Sequence, residues 1–283
     1  MNTKIDKFFK TQEQKPNVRI GNRGIKFKKH EKSKINWTDH AWNPWVGCRK
    51  LSEACRNCYI DRVLKEKSRT VKRTTNKTWR KPYEIEEPSL IFVCNYSDFF
   101  IEDADDWRDD AWKIINENQH HFFLILTKRP ERIKACLPKN WGKNGYDNVF
   151  LGVTVEDSTK KVLKRLDDLR EIPAKIRFVS VEPIYKEFNF TKAQVEGFDW
   201  FILGGETDFK NARDCKVEWI HRLAIKLLFY KKAVFIKQLG TVQAKKLGYK
   251  SWHGEDWDEF DAYLRIRQFP IAREPRNIKP KSK

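Results

Sequence analysis

The stretches Ser89-Leu-Ile-Phe-Val-Cys94 and His121-Phe-Phe-Leu-Ile-Leu126 decide how this chain is read. Each is a run of about six residues, apolar on successive positions rather than on alternate ones. An exposed strand would alternate, and an amphipathic helix would recur every three to four residues. A short continuous run rich in β-branched and aromatic types is instead what a strand covered on both faces of a parallel sheet requires. Four more runs of this kind follow: Asn148-Val-Phe-Leu-Gly-Val153, Ile176-Arg-Phe-Val-Ser-Val181, Trp200-Phe-Ile-Leu203 and Ala233-Val-Phe-Ile236. A first strand near Lys34 to Trp37 would bring the total to about seven. Between them, Asp105–Asn118 places Trp107, Ala111, Trp112 and Ile115 on one helical face. Ser158–Arg170 repeats Val162, Leu163, Leu166 and Leu169, with Asp157 and Ser158 as candidate N-caps, and Val217–Tyr230 repeats Trp219, Ile220, Leu223, Leu227 and Leu228. Strand–helix alternation means βαβ units. An open doubly wound sheet and an incomplete (β/α) barrel both satisfy it. The expected fold class is α/β, a partial (β/α) barrel of six to seven parallel strands.

The domain spans 34–270. Residues 1–33 carry no apolar periodicity and read as a basic disordered arm, and 271–283 as a basic tail. No apolar run is long enough for a membrane helix, and no secretory signal opens the chain. The six cysteines are too sparse for a disulfide scaffold. A reducing, cytoplasmic setting is expected, and there a tight cysteine cluster means metal or catalysis.

Charge points to the partner. The chain holds 58 Lys+Arg against 39 Asp+Glu, a formal +19. A balance this basic suits a polyanion, most simply nucleic acid. The excess gathers in the arm, in the segment from Arg49 to Lys81, and at the C-terminus. Arg62, Lys72 and Arg73 are the candidate nucleic-acid contacts of the middle block.

Polar residues follow the strand-like runs: Asn95, Ser97 and Asp98, then Lys128 and Arg129, then Glu156, Glu182, Glu206 and Lys237. Parallel α/β folds bind ligands at the carboxyl ends of their strands, so these residues are expected around one cavity. Gly204-Gly205-Glu206 is no dinucleotide fingerprint.

The sharpest motif lies in the loop 47–59, Gly47-Cys48-Arg-Lys-Leu-Ser-Glu-Ala-Cys55-Arg-Asn-Cys58-Tyr59. Cys55 and Cys58 are spaced to clasp one centre, and the loop from Cys48 can return to it. The polar residues between them do not suit a core segment. Structural zinc needs four closed ligands, and His40 or Asp39 would have to supply the fourth. An iron–sulfur cluster held by three cysteines instead leaves one iron open to a ligand. Cys94 and Cys136 are expected as small core residues. Trp37, Trp42 and Trp45 flank the loop and would shield it or stack on bases.

With these segments in view, the sequence resembles a widespread family of phage and bacterial proteins with a three-cysteine motif. That family is similar in outline to radical-SAM enzymes and, distantly, to spore photoproduct lyases. The resemblance rests on Ile35-Asn-Trp37-Thr38-Asp39 through Pro44, on the cysteine loop, and on Asn95-Tyr-Ser97-Asp98. It also rests on Leu126-Thr-Lys128-Arg-Pro130, Leu151-Gly-Val-Thr-Val155-Glu156, Ser180-Val-Glu182-Pro183, Gly204-Gly205-Glu206 and Lys237-Gln-Leu-Gly240. The cysteine spacing departs from the usual C-x3-C-x2-C of radical-SAM enzymes, because the first gap here is six.

The resemblance implies a [4Fe-4S] cluster on Cys48, Cys55 and Cys58, with S-adenosylmethionine on the open iron and an adenosyl radical as the oxidant. It implies that Tyr59, Asn95, Ser97, Asp98, Lys128, Glu156, Glu182, Glu206 and Lys237 bind the cofactor or substrate. The expected function is modification or repair of a nucleic acid or nucleotide. Two other readings stand beside it: a zinc-stabilised nucleic-acid-binding protein, and a barrel enzyme on a small anionic substrate.

Overall fold

The computed structural model describes residues 35–64, 69–208 and 210–270; the expected arm and tail lie outside the described residues. Among the described residues, nine strands form two sheets. They are β1 (His40–Trp42), β2 (Trp45–Val46), β3 (Lys72–Arg73), β4 (Leu90–Val93), β5 (Phe122–Thr127), β6 (Val149–Thr154), β7 (Ile176–Ile184), β8 (Trp200–Gly205) and β9 (Ala233–Gln238). The short β2 and β3 pair antiparallel, while the other seven form one all-parallel sheet in the order β1-β4-β5-β6-β7-β8-β9. That order follows the chain without reversal. A doubly wound sheet reverses at a switch point, so this alternative is excluded. Right-handed crossovers in one direction place every connection on the same side, and the sheet curls into a half-barrel.

Both faces are apolar, as the continuous runs require, and successive residues serve different cores. Ile91, Ile125, Leu151, Val179, Leu203 and Ile236 point outward into the larger core. That core is shared with α1 (Asp105–Glu117), α2 (Lys160–Arg170) and α3 (Val217–Phe229). Phe92, Leu124, Phe150, Phe178, Trp200, Ile202 and Phe235 point inward and form a separate aromatic floor with Trp37. The Trp37 ring lies 4.7 Å from Phe92 and 5.8 Å from Trp200, centroid to centroid. Gly152 belongs to the inward set. A Cβ there would lie 2.4 Å from the Phe178 ring, so only glycine lets that ring fill the interior.

Several boundaries differ from expectation. The first strand is His40–Trp42, not Lys34–Trp37, because Trp37 is needed in the floor. Thr159, not Asp157 or Ser158, caps α2 through the Val162 amide; Asp157 instead accepts from the Thr159 amide at 2.9 Å. The crossovers from β5 to β6 and from β7 to β8 are made by 3-10 and single helical turns rather than full helices. Past β9 comes α4 (Thr241–Lys246), and the chain then returns along the open edge. The Ile236 amide donates to Ile266 and the Gln268 amide to Val234, which covers otherwise unpaired backbone.

Candidate functional site

The inward register that builds the floor runs on through the carboxyl-terminal halves of the strands and just beyond, and there the residue types change. Leu124 and Leu126 lead to Lys128, Phe150 and Gly152 to Thr154, and Phe178 to Ser180 and Glu182. Ile202 and Gly204 lead to Glu206, and Phe235 to Lys237. These polar side chains, with Asn95, Ser97 and Asp98 after β4, line one cavity of about 220 Å³. Cys48, Cys55, Cys58 and Tyr59 line the same cavity. The cysteine loop therefore sits over the carboxyl ends of the strands.

Local geometry delivers the loop to that position. Gly47 has φ +96°, and a Cβ there would fall 2.1 Å from the Thr70 carbonyl oxygen; glycine alone lets the chain pass. Its amide donates to Tyr96 O at 3.0 Å, and its carbonyl accepts from the Ser97 hydroxyl. Cys48 is thereby tied to the end of β4. Cys55 closes a 3-10 turn over Glu53–Cys55, and Cys58 precedes a helical turn over Ile60–Val63. The Tyr59 hydroxyl donates to Asn95 O, and its ring meets Tyr96 edge-on at 6.2 Å. Burial of the phenol oxygen, with the Cys58 thiol and Tyr96 beside it, pushes the Tyr59 pKa well above its ordinary value.

The charged groups divide into committed and available ones. Asp98 is saturated. One oxygen accepts from the Phe100 amide at 2.9 Å and the Thr127 hydroxyl at 2.7 Å, and the other from the Lys128 amide at 3.0 Å and Arg129 at 3.2 Å. Arg129 also reaches Glu102 and the Arg49 carbonyl. Asp98 and Arg129 line the cavity, and these hydrogen bonds also join β4, β5 and the cysteine loop. Glu156 does not line the cavity. It is enclosed and paired with Arg165 of α2 at 2.7 Å, because the chain has left the inward register by then. Glu206 is clasped by Arg213. Glu182 accepts from Lys237 at 2.7 Å and from the Ser180 hydroxyl at 2.9 Å, and this pair still faces the cavity. Lys128 has no carboxylate partner among the described residues; its ammonium makes one long contact, 3.4 Å to the Thr154 hydroxyl.

The thiols respond to this arrangement. Burial, reinforced by the Asp98 charge, pushes Cys48 up to about 11. Burial acts on Cys55 in the same direction, but the Lys128 ammonium and main-chain hydrogen bonds from Leu51 and Ser52 outweigh it, so that thiol lies below its ordinary value. All six cysteines are free thiols. Among the described residues, no three Cys, His, Asp or Glu side chains stand grouped to hold a metal ion. Cys48, Cys55 and Cys58 nonetheless open into one cavity, with Lys128 on the same wall.

Other expectations fall elsewhere. Trp37, Trp42 and Trp45 are buried: Trp37 lines the cavity from the floor, and Trp42 and Trp45 belong to the larger core. Cys94 is buried as expected but reaches the cavity wall, which was not. Of the basic candidates, none lines the cavity. Arg62 donates to Thr207 O and pairs with Asp208, Arg73 lies over the Trp79 ring at 4.0 Å, and Lys72 is exposed on β3. Asn57 and Arg213 were not proposed as site residues from the sequence, and Arg213 lies in a loop with no periodic signal.

Residues 32–261 match a family described as a protein of unknown function, DUF5131. The chain belongs to this family. No curated protein and no solved structure matches it. Among the described residues no helix is long and apolar enough to cross a membrane.

Proposed function

We propose that this DUF5131 protein is a radical-SAM-like iron–sulfur enzyme acting on a nucleic acid or nucleotide. The observation that supports the reading is the convergence of Cys48, Cys55 and Cys58 with the polar strand ends on one cavity. Three thiolates would hold a [4Fe-4S] cluster and leave one iron for S-adenosylmethionine. With one electron delivered to the cluster by an external donor, that pair would supply cleavage of a carbon–sulfur bond of S-adenosylmethionine and abstraction of hydrogen from a substrate.

The chain's own residues have separate tasks. Lys128 offsets the negative charge of the thiolates or holds a carboxylate. Glu182 and Lys237, bonded to each other but open to the cavity, offer an acceptor and a donor to an incoming ligand. Tyr59 and Asn95 form the wall on the β4 side. Trp37, Phe92 and Leu126 close the cavity below.

The test is iron and sulfide content after anaerobic reconstitution. Cys48→Ala, Cys55→Ala and Cys58→Ala are each expected to lose most of the iron, and Cys136→Ala and Cys215→Ala to keep it. Cys94 carries a second reading, a closed four-thiol zinc centre, because it too reaches the cavity. A colourless protein with stoichiometric zinc that is lost in Cys94→Ala would favour that reading.

The substrate class rests on the basic balance of the chain. Binding to a mixed-sequence oligonucleotide is expected to weaken with salt. Deletion of residues 1–33 is expected to flatten the log–log slope by about 0.7–0.9 for each phosphate that the arm neutralises. Equal slopes would mean that the arm takes no part.

A further inference from the structure

Glu206 and Arg213 form the most densely bonded charged pair at the mouth. Both Glu206 oxygens are engaged by one residue: Arg213 donates from its amide at 2.8 Å and from Nε at 2.9 Å to one oxygen, and from Nη2 at 2.7 Å to the other. The guanidinium also lies over the Tyr185 ring, 3.9 Å from its centroid, which fixes its plane. A planar fork held on two sides has one direction left, and Arg213 Nη1 uses it to reach Glu53 Oε1 at 3.2 Å. Glu53 lies two residues before Cys55. On the same side, Asn57 Nδ2 donates to Glu206 Oε2 at 3.2 Å and to Asn211 O at 2.7 Å, and Asn57 immediately precedes Cys58.

The half of the loop that carries Cys55 and Cys58 is thus tied to the β8–α3 connection. Cys48 has anchors of its own in Ser97 and Tyr96, through Gly47, while Arg69 bonds both the Cys48 carbonyl and the Cys58 side chain. Removing a buried carboxylate from water is costly unless it is paired, and a hydrophobic replacement usually packs as well. A stability role alone would be met by Glu206 with any cation. It does not require the remaining N–H to point at the loop, nor a loop amide to share the same carboxylate.

We propose that Arg213, fixed on Glu206 and Tyr185, is a positioning residue that clamps the Glu53–Cys58 segment over the barrel mouth and sets the placement of Cys55 and Cys58 more than that of Cys48. The clamp acts on the loop assigned above to metal binding, but it does not need the metal. Its readout is therefore taken on the full chain after reduction and chelation, and iron content is a separate measurement.

The experiment is alkylation of the folded full-length chain with iodoacetamide, resolved by peptide mass spectrometry. In Arg213→Met, Cys55 and Cys58 are expected to react at least about fivefold faster than in the parent, and Cys48 less than about twofold faster. Arg213→Lys keeps the charge but loses the fork and is expected to fall between. Cys136, half-buried and outside the cavity, reports global opening. If it reacts in step with the others in Arg213→Met, Asn57→Ala decides, because that half-buried side chain can be removed with the Glu206–Arg213 pair intact. Asn57→Ala is expected to speed Cys58 by more than about threefold. Unchanged Cys55 and Cys58 rates in a folded Arg213→Met, an equal rise at Cys48, or an unaltered Cys58 in Asn57→Ala would each overturn the clamp.

Discussion

The floor and the mouth of this half-barrel are built by the same strands in the same inward register, yet they obey different rules. The floor is closed: Trp37, Phe178, Trp200 and Phe235 are almost wholly buried and meet ring to ring. The mouth is polar, and its groups belong to two classes. Asp98 with Arg129, and Glu206 with Arg213, spend their hydrogen bonds inside the protein. Lys128, Glu182 and Lys237 keep capacity toward the cavity. The difference teaches that a polar residue at a strand end is not thereby a ligand-binding residue; its remaining hydrogen-bonding capacity decides.

Substitutions can break or sharpen this contrast. The largest effect is expected in the floor. Trp200→Ala removes a fully buried indole whose N–H donates to Gln268 O, and should cost about 3–5 kcal/mol in urea unfolding. Close behind comes Asp98→Ala, expected to cost about 3 kcal/mol because it strands the buried Arg129 and unpairs the Thr127 hydroxyl. A cost for Asp98→Ala under about 1 kcal/mol would return Asp98 to the available class.

Smaller for each unit of pH is an effect at the opposite end of the strands. His121 is buried where β5 begins, and burial, with His120 next to it, holds its pKa down to about 3. An unfolded histidine takes up its proton near pH 6.5 while the folded one stays neutral. Stability contributed by this group is therefore full above about 6.5 and falls as pH drops from 6.5 toward 3. The slope is about 1.4 kcal/mol per pH unit. His121→Leu should flatten the unfolding free energy over that window; an unaltered slope would remove His121 from the account.

Smallest of all is Lys128→Met. Its ammonium holds no carboxylate among the described residues, so unfolding should change by less than about 1 kcal/mol. Reconstituted iron content or ligand affinity should nevertheless fall severalfold. A large stability loss with site function intact would invert the comparison between floor and mouth.

The sequence was legible where a requirement is local. Six apolar runs had to be strands covered on both faces, and six of the seven parallel strands lie on them; glycine at 47 and the cysteine spacing marked the loop. Most of the polar strand ends, Lys128, Glu182 and Lys237 among them, were visible because a register of two carries past the last apolar residue. Glu156 was misplaced because the chain bends out of that register after Thr154, a change no single residue announces. Trp37 was read into a strand because an indole before an apolar run satisfies either position.

By itself, then, the sequence determined the parallel α/β class, the cysteine loop and which residue types gather at the strand ends, since alternation and spacing act over a few residues. Only the tertiary structure decided that the sheet winds in one direction, that Trp37 plugs the floor, and which mouth charges are already spent. Those outcomes depend on contacts between residues far apart in the chain, as when Arg213 reaches Glu53 across 160 positions. The partner of a buried charge is set by which loops the closed fold brings together, and no local pattern encodes it.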